Sequence, residues 1–397
     1  MKVLEFVILG KYERRIKMKK VITTVGTSII SNYRKGGGTK LDSYEKYLNE
    51  SFKNWEEDYS ISMKKTLKDW MKKVKEEDIS AEIKSLLKIK KEEDCCLEVY
   101  LITTDTVASN LCAQLIAEYF KEKKDDCIEV KYNPKTSNIK GLQIENRKKF
   151  VQQGLPNLIN KISRIVNGYY DNVIFNITGG YKGVIPYLTI MAAVNGSSIK
   201  YIFEESNELI TIPSLPLKID EEVFSKYYFQ LTRLEEGIGD YSKVKNEEFV
   251  AYSELEGKGL VEWDGKYAFL SPIGQIFFNR YRDRYFTFYC TKEIWEQIHK
   301  EEDILRIIKT KFYSEENRES KTEDKGNGHK KVYDDGNNCN RIFYFVENGN
   351  IYIYKVFSRD HDKYEQYIRT VKFEDEKQKT LKYAESHKIE KEREKNV

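Results

Sequence analysis

Three short stretches carry residue types suited to holding an anion. In Asn176-Ile177-Thr178-Gly179-Gly180-Tyr181-Lys182, two glycines and a lysine lie between an apolar run, Val173-Ile174-Phe175, and an apolar helical pattern. Glycines let backbone approach a ligand, an open helix start favours negative charge, and Lys182 adds a cation. Val25-Gly26-Thr27-Ser28 repeats that logic near the start of the chain, without the full glycine fingerprint of a dinucleotide site. Thr104-Asp105-Thr106 follows a third apolar run, where Asp105 or Thr106 also suits the cap of the next helix. An ordinary strand-to-helix turn would use similar residues, so the repetition is what points to one pocket.

The turns act together only if the strands that end in them lie side by side. Apolar runs at 20–24, 97–103, 128–132, 172–176, 200–203 and 209–212 alternate with helical patterns. One covers 41–90, with Trp55, Trp70 and Leu86 as anchors, and another covers 142–166, broken at Gly154-Leu155-Pro156. The glycine-rich basic loop 33–40 reads as a flexible linker. Such alternation predicts a parallel sheet with right-handed crossovers, whose ligands gather at the carboxyl ends of the strands. A turn at Glu205-Ser206-Asn207 and the prolines Pro213 and Pro216 close this region.

From 221 to 285 the texture changes. A helix ends at the glycines Gly257 and Gly259, a hairpin turns at Asp264-Gly265, and Ser271-Pro272 caps a further helix. That is a winged-helix outline, and without a basic recognition helix it reads as a connector rather than a DNA reader. Beyond 291 come a helix over 294–312, a polar stretch over 313–328 expected to be mobile, and a loop at 334–338. Strands over 341–347 and 351–357 join at Asn348-Gly349, and a charged tail from 374 reads as a solvated helix.

At 397 residues the chain should hold two or three domains, and a net charge of +4 does not by itself announce nucleic-acid binding. No apolar run reaches the ~20 residues of a membrane helix. The patch 3–9 is followed by Arg14, Arg15 and Lys17 instead of a cleavage site, so 1–17 reads as an upstream extension. Cysteines 95, 96, 112, 127, 290 and 339 lack a CxxC pair and read as reduced thiols of a cytoplasmic protein.

Residues 19–217 resemble the CRISPR-associated Rossmann-fold (CARF) sensor domains of type III CRISPR systems. The resemblance rests on Thr24-Val25-Gly26-Thr27-Ser28, Thr103-Thr104-Asp105-Thr106, Asn176 through Lys182, and the ending Tyr201-Ile202-Phe203-Glu204 through Pro213-Ser214-Leu215-Pro216. It implies a homodimer that binds a cyclic oligoadenylate, most often cyclic tetra-adenylate, at Gly26, Thr27, Ser28, Thr104, Asp105, Thr106, Asn176, Thr178, Gly179, Gly180, Tyr181 and Lys182. Some relatives cleave that ligand without metal, using a serine and a lysine placed as Ser28 and Lys182 are.

Residues 291–383 look like the RelE family of toxin ribonucleases. The match lies in Arg341-Ile342-Phe343-Tyr344, in Ile351 through Phe357, and in Ser358-Arg359 with tyrosines beyond. By that resemblance Arg341 and Arg359 contact the scissile phosphate, Lys330 and Lys331 supply the family lysines, and Tyr364 or Tyr367 the tyrosine. His329 and His361 are further candidates for proton transfer. Arginines at strand ends are also common surface charges. A HEPN nuclease would need an arginine four to six residues before a histidine, which the chain lacks. Asp375-Glu376-Lys377 is a poor basis for a metal nuclease.

The expectation is therefore an α/β Rossmann-like parallel-sheet sensor at 19–217, behind an extension over 1–18. A winged-helix connector at 218–288, a small α+β RelE-like ribonuclease at 289–383 and a charged tail at 384–397 complete it. The cyclic oligoadenylate would act as allosteric activator. RNA, free or ribosome-bound, would be cut by 2′-hydroxyl attack with no metal or resident cofactor. The rival reading is a ligand-responsive winged-helix transcription regulator with a non-catalytic C-terminal part.

Overall fold

Five parallel strands and one antiparallel strand build the first sheet, in the order β3-β2-β1-β4-β5-β6. They are β1 (Met18–Val25), β2 (Cys96–Thr103), β3 (Ile128–Lys131), β4 (Val173–Asn176), β5 (Ser198–Ile202) and β6 (Leu209–Ile212). This computed structural model describes residues 18–392, apart from 124–126, 144–145, 204–206, 215–216, 218 and 337–339. The extension over 1–17, Cys339, and the Glu204, Glu205, Ser206, Leu215 and Pro216 parts of the motifs lie outside the described residues. Met18 already belongs to β1.

The strand order is that of a Rossmann-like domain. The unbroken burial of Val21 to Val25, threonines included, is that of a strand covered on both faces. On one face Val21, Val99 and Leu101 share a core with Ile29, Leu86 and Leu111, from the helices Ser28–Lys35, Ala81–Glu93 and Val107–Lys123. Because β1 lies between β2 and β4, the turns that leave β1 and β4 emerge next to one another, where the strand order reverses.

The cysteine expectation is corrected here. Cys96 and Cys127 are joined in a disulfide, with Cα atoms 4.2 Å apart. Parallel pairing sets Leu97 opposite Ile128, which brings the two preceding residues together. Cys112 and Cys290 are buried thiols outside that disulfide.

The chain divides into two compact units, Met1–Lys218 and Ile219–Val397. In the second, the helix Phe249–Gly257, the hairpin β7 (Val261–Trp263) and β8 (Ala268–Leu270), and the helix Pro272–Arg284 share a core built on Tyr241, Tyr252, Leu255, Leu270 and Phe278. Ser271 caps the last of these helices by accepting from Gly274 N at 2.9 Å.

The second unit's other sheet runs β10-β11-β12-β13-β9-β14. Its strands are β9 (Tyr285–Cys290), β10 (Thr322–Glu323), β11 (Val332–Asp334), β12 (Asn340–Glu347), β13 (Asn350–Ser358) and β14 (Glu385–Glu390). All pairs are antiparallel except β13 with β9. Two of these strands depart from expectation. β9 straddles the boundary set at 288/289, and 385–390, read as tail, is an edge strand paired with β9. Its sequence hides it, since Ile389 is its one buried residue and polar or charged residues fill the rest, as is usual on edge strands. The stretch read as mobile, 313–328, contains the helix Glu315–Ser320 and β10.

Candidate functional site

The first unit brings its two glycine turns into contact. A Cβ at Gly26 would lie 2.9 Å from Gly180 N, so the turns leaving β1 and β4 touch through backbone. Gly180 has φ +95°, where only glycine is at ease, and a Cβ there would meet Thr24 Cβ at 2.6 Å. Thr24 Oγ1 donates to Gly179 O at 2.6 Å and ties the junction. Lys182 is exposed and begins the short helical turn Lys182–Val184 ahead of the helix Ile185–Asn195. Tyr181 packs edge-on against Phe150, ring centroids 5.6 Å apart.

Several expected ligand contacts are committed inside the protein. Asn176 is fully buried; its Nδ2 donates to Ser85 Oγ at 2.8 Å and its Oδ1 accepts from Thr178 Oγ1 at 2.8 Å. Thr178 Oγ1 also accepts from Ile202 N at 3.1 Å, so Asn176 and Thr178 brace the turn from below. Asp105, also buried, accepts from Ser51 Oγ, Gly141 N and Gln143 Nε2 at 3.1–3.2 Å. It clamps two loops. Thr106 caps the helix Val107–Lys123, accepting from Ser109 N at 3.3 Å, and Thr104 Oγ1 lies 3.1 Å from Thr106 Oγ1. Thr27 directly precedes the helix Ser28–Lys35, and its hydroxyl makes no cap bond.

Sequence reading missed Glu82. This residue is 1% exposed, and its carboxylate accepts from Gly26 N at 2.8 Å and from the Ser28 hydroxyl. A Cβ on Gly179 would overlap Glu82 Oε1. Nothing in the local pattern of 41–90 separates this glutamate from its solvated neighbours.

In the second unit the expected catalytic residues divide between the two faces of the sheet. Arg341 is 5% exposed, paired with Asp334 at 2.8 Å across the β11–β12 register, and its guanidinium lies 5.3 Å from the Tyr364 ring centroid. Phe343, Phe357 and Tyr364 share that face, under the helices His361–Thr370 and Phe373–Tyr383. Lys331 lies on the other face, held by Glu319 at 2.8 Å and over the Tyr344 ring. The hydrogen bond to Lys331 holds the Glu319 carboxyl below its ordinary pKa. Lys330 is exposed. Arg359 is also exposed, and its Nη2 meets Asp303 at 2.6 Å, on the helix Glu302–Ile307 that covers the Lys331 side.

The proton-transfer role expected of His329 does not fit its surroundings. It is fully buried among Phe343, Tyr354, Tyr367 and Phe373, with Nδ1 2.9 Å from Tyr354 Oη and Nε2 2.9 Å from Val371 O. Both ring nitrogens are engaged, so the residue is structural. His361 is exposed, 5.9 Å from the Tyr364 ring. Between the two tyrosines, geometry favours Tyr364. Tyr367 packs beside His329, and burial raises its pKa. Two lysines not expected there reach the Arg341 face. Lys355 sits 5.7 Å from the Tyr367 ring, and Lys325, bonded to Glu323, feels the charges of Tyr364 and Arg341.

Residues 77–215 match a family model described as CRISPR-associated protein (Cas_APE2256). The matched segment takes in Glu82 and the 176–182 turn and begins after the 26–28 turn. Over that segment the chain is similar to a CRISPR-associated family. No curated protein matches the chain significantly. One solved structure with some likeness is Can2 from Sulfobacillus thermosulfidooxidans in complex with cyclic tetra-adenylate, at 13% identity over 66% of this chain and 71% of that one, TM-score 0.17. At that score the superposition is too loose to transfer fold or ligand. Among the described residues, no helix is long and apolar enough to cross a membrane.

Proposed function

We propose that the chain is a cyclic-oligoadenylate-activated ribonuclease of type III CRISPR defence. The first unit senses the ligand as a homodimer, and the second unit cuts RNA. The observation that carries the reading is the junction of the Gly26 and Gly180 turns at the reversal point of a Rossmann-like sheet, with Lys182 exposed beside it. Backbone donors and one cation at such a point suit a phosphodiester. The ligand would act by binding the active state more tightly than the inactive one. The helix–hairpin–helix segment in 218–288 is assigned the connecting role of a winged helix.

For the RelE-like part, the supporting observation is the Arg341–Tyr364 pair, with Lys325, Lys355 and His361 near it. In the proposed reaction the 2′-oxygen of the substrate bonds to phosphorus while the 5′-oxygen leaves. One proton goes from the 2′-hydroxyl to a base and one reaches the leaving oxygen. The products are a 2′,3′-cyclic phosphate and a 5′-hydroxyl. Arg341 would balance the charge on phosphorus and His361 would move a proton. In the structure Asp334 holds Arg341, so activation has to free its guanidinium for substrate.

The test is cleavage of labelled RNA without divalent metal, with and without cyclic tetra-adenylate and translating ribosomes, beside Arg341→Ala. Cutting that needs the ligand and vanishes in the variant is expected. Ligand binding with no cutting in any lane would remove the ribonuclease assignment and favour a winged-helix regulator.

A further inference from the structure

We propose that Glu82 is a positioning residue of the ligand site: its buried carboxylate already fills the 26–28 cradle, turns Ser28 inward and leaves the 180–182 turn to take the ligand's phosphate. The inference rests on the cyclic-oligoadenylate reading and deepens it.

A carboxylate and a phosphate compete for the same donors. Glu82 Oε1 takes the Gly26 N–H at 2.8 Å, and Oε2 takes the single proton of the Ser28 hydroxyl. Ser28 Oγ in turn accepts from Ala81 N at 3.3 Å. The two donors that sequence reading offered to a phosphate are thus already engaged. The fit is close, since Gly179 has no room for a Cβ beside Glu82 Oε1.

A carboxylate 1% exposed needs compensation, and among the described residues no lysine or arginine is ion-paired with it. Its support comes from those two donors and from its place in the first turn of the helix Ala81–Glu93, where negative charge is favoured. The field of this anion also reaches Cys112, whose pKa is raised first by burial and then by Glu82. A ligand phosphate entering the 26–28 cradle would meet a like charge. At the 180–182 turn it would meet Lys182, which is exposed and makes no ion pair among the described residues.

Calorimetric titration of the full chain with cyclic tetra-adenylate tests this, using wild type, Glu82→Gln, Ser28→Ala and the double variant, each with a melting curve. A glutamine Oε1 still accepts from Gly26, while its Nε2 donates to Ser28 and releases the serine proton toward the ligand. Glu82→Gln is expected to bind roughly tenfold tighter. Ser28→Ala should then cost more in that background than in wild type. If Glu82→Gln melts like wild type and binds no more tightly, or if Ser28→Ala costs the same in both backgrounds, Glu82 is only a brace. Glu82→Ala gives a second reading. Acetate should enter the emptied cradle and lower ligand affinity in that variant but not in wild type, and equal sensitivity would sink the proposal. No binding by any form removes the sensor reading along with it.

Discussion

The two units treat their sequence motifs differently. In the first, residues 26–28 and 177–182 are about 150 positions apart, by subtraction of those numbers, yet meet because β1 and β4 are adjacent parallel strands. Each motif is a loop at a strand end, so its position does not depend on which way any one side chain points. In the second, the expected site spans antiparallel strands, where side chains alternate between faces and a one-residue slip moves a residue to the opposite side. Lys331 and Arg341 sit on opposite faces for this reason, and where the register shifts, Tyr354 is the extra residue of β13, so that Ile353 and Val356 face the same core. Turn motifs carry across such a reading better than patterns of single side chains on a sheet.

The largest effect on function should come from closing the glycine junction. Gly180→Ala places a side chain at φ +95° and against Thr24, which should cost about 1–3 kcal/mol in chemical denaturation and abolish detectable ligand binding. Normal affinity in that variant would show that the ligand sits elsewhere. Next in size is the contrast between Arg341 and Lys331. Arg341→Ala leaves Asp334 without its partner and should cost about 3–5 kcal/mol, so Arg341→Lys is the cleaner kinetic probe: it keeps the charge but loses the fork. Arg341→Lys should lower RNA cleavage by roughly a hundredfold, whereas Lys331→Ala, which breaks a half-exposed pair with Glu319 and a contact with the Tyr344 ring, should change it by less than about threefold. A reversed ranking would move the cleavage site to the Lys331 face.

Much of this was legible in the sequence where local chemistry sets local structure. Apolar runs gave the strands of the first sheet, and Asn348-Gly349, both at positive φ, joins β12 to β13 as its type predicts. Ser271-Pro272 opens its helix as read. The rest depended on contacts between distant residues. Glu82 looks like any glutamate on a charged helix until the fold lays that helix over the Gly26 turn. His329 has the right chemistry for proton transfer, but burial among four aromatic rings takes up both its nitrogens. β14 went unseen because its pairing with β9, rather than its own composition, makes it a strand.

The smallest predicted effect concerns that same edge strand. His387 on β14 stacks on Trp295, ring centroids 4.2 Å apart, and its buried Nε2 has no hydrogen-bond partner among the described residues. Burial, chiefly, holds its pKa below the ordinary 6.5, against an opposing pull from Glu385 and the Cys290 backbone, while His299 adds to the lowering. A histidine depressed on folding binds fewer protons in the native state than in the unfolded chain, so stability rises with pH through the interval below 6.5 and is fully present above it. The melting temperature of the wild-type chain should therefore fall as the pH is lowered from 7 to below 6, by roughly a few degrees. His387→Phe, which keeps the stacking and removes the titration, should flatten the profile over that range. An unchanged slope over that range in His387→Phe would show that His387 is not its source; carboxylates such as Glu93, whose pKa burial raises but the bonds to Lys19 and Lys200 bring below 4.5, lose their contribution only at lower pH.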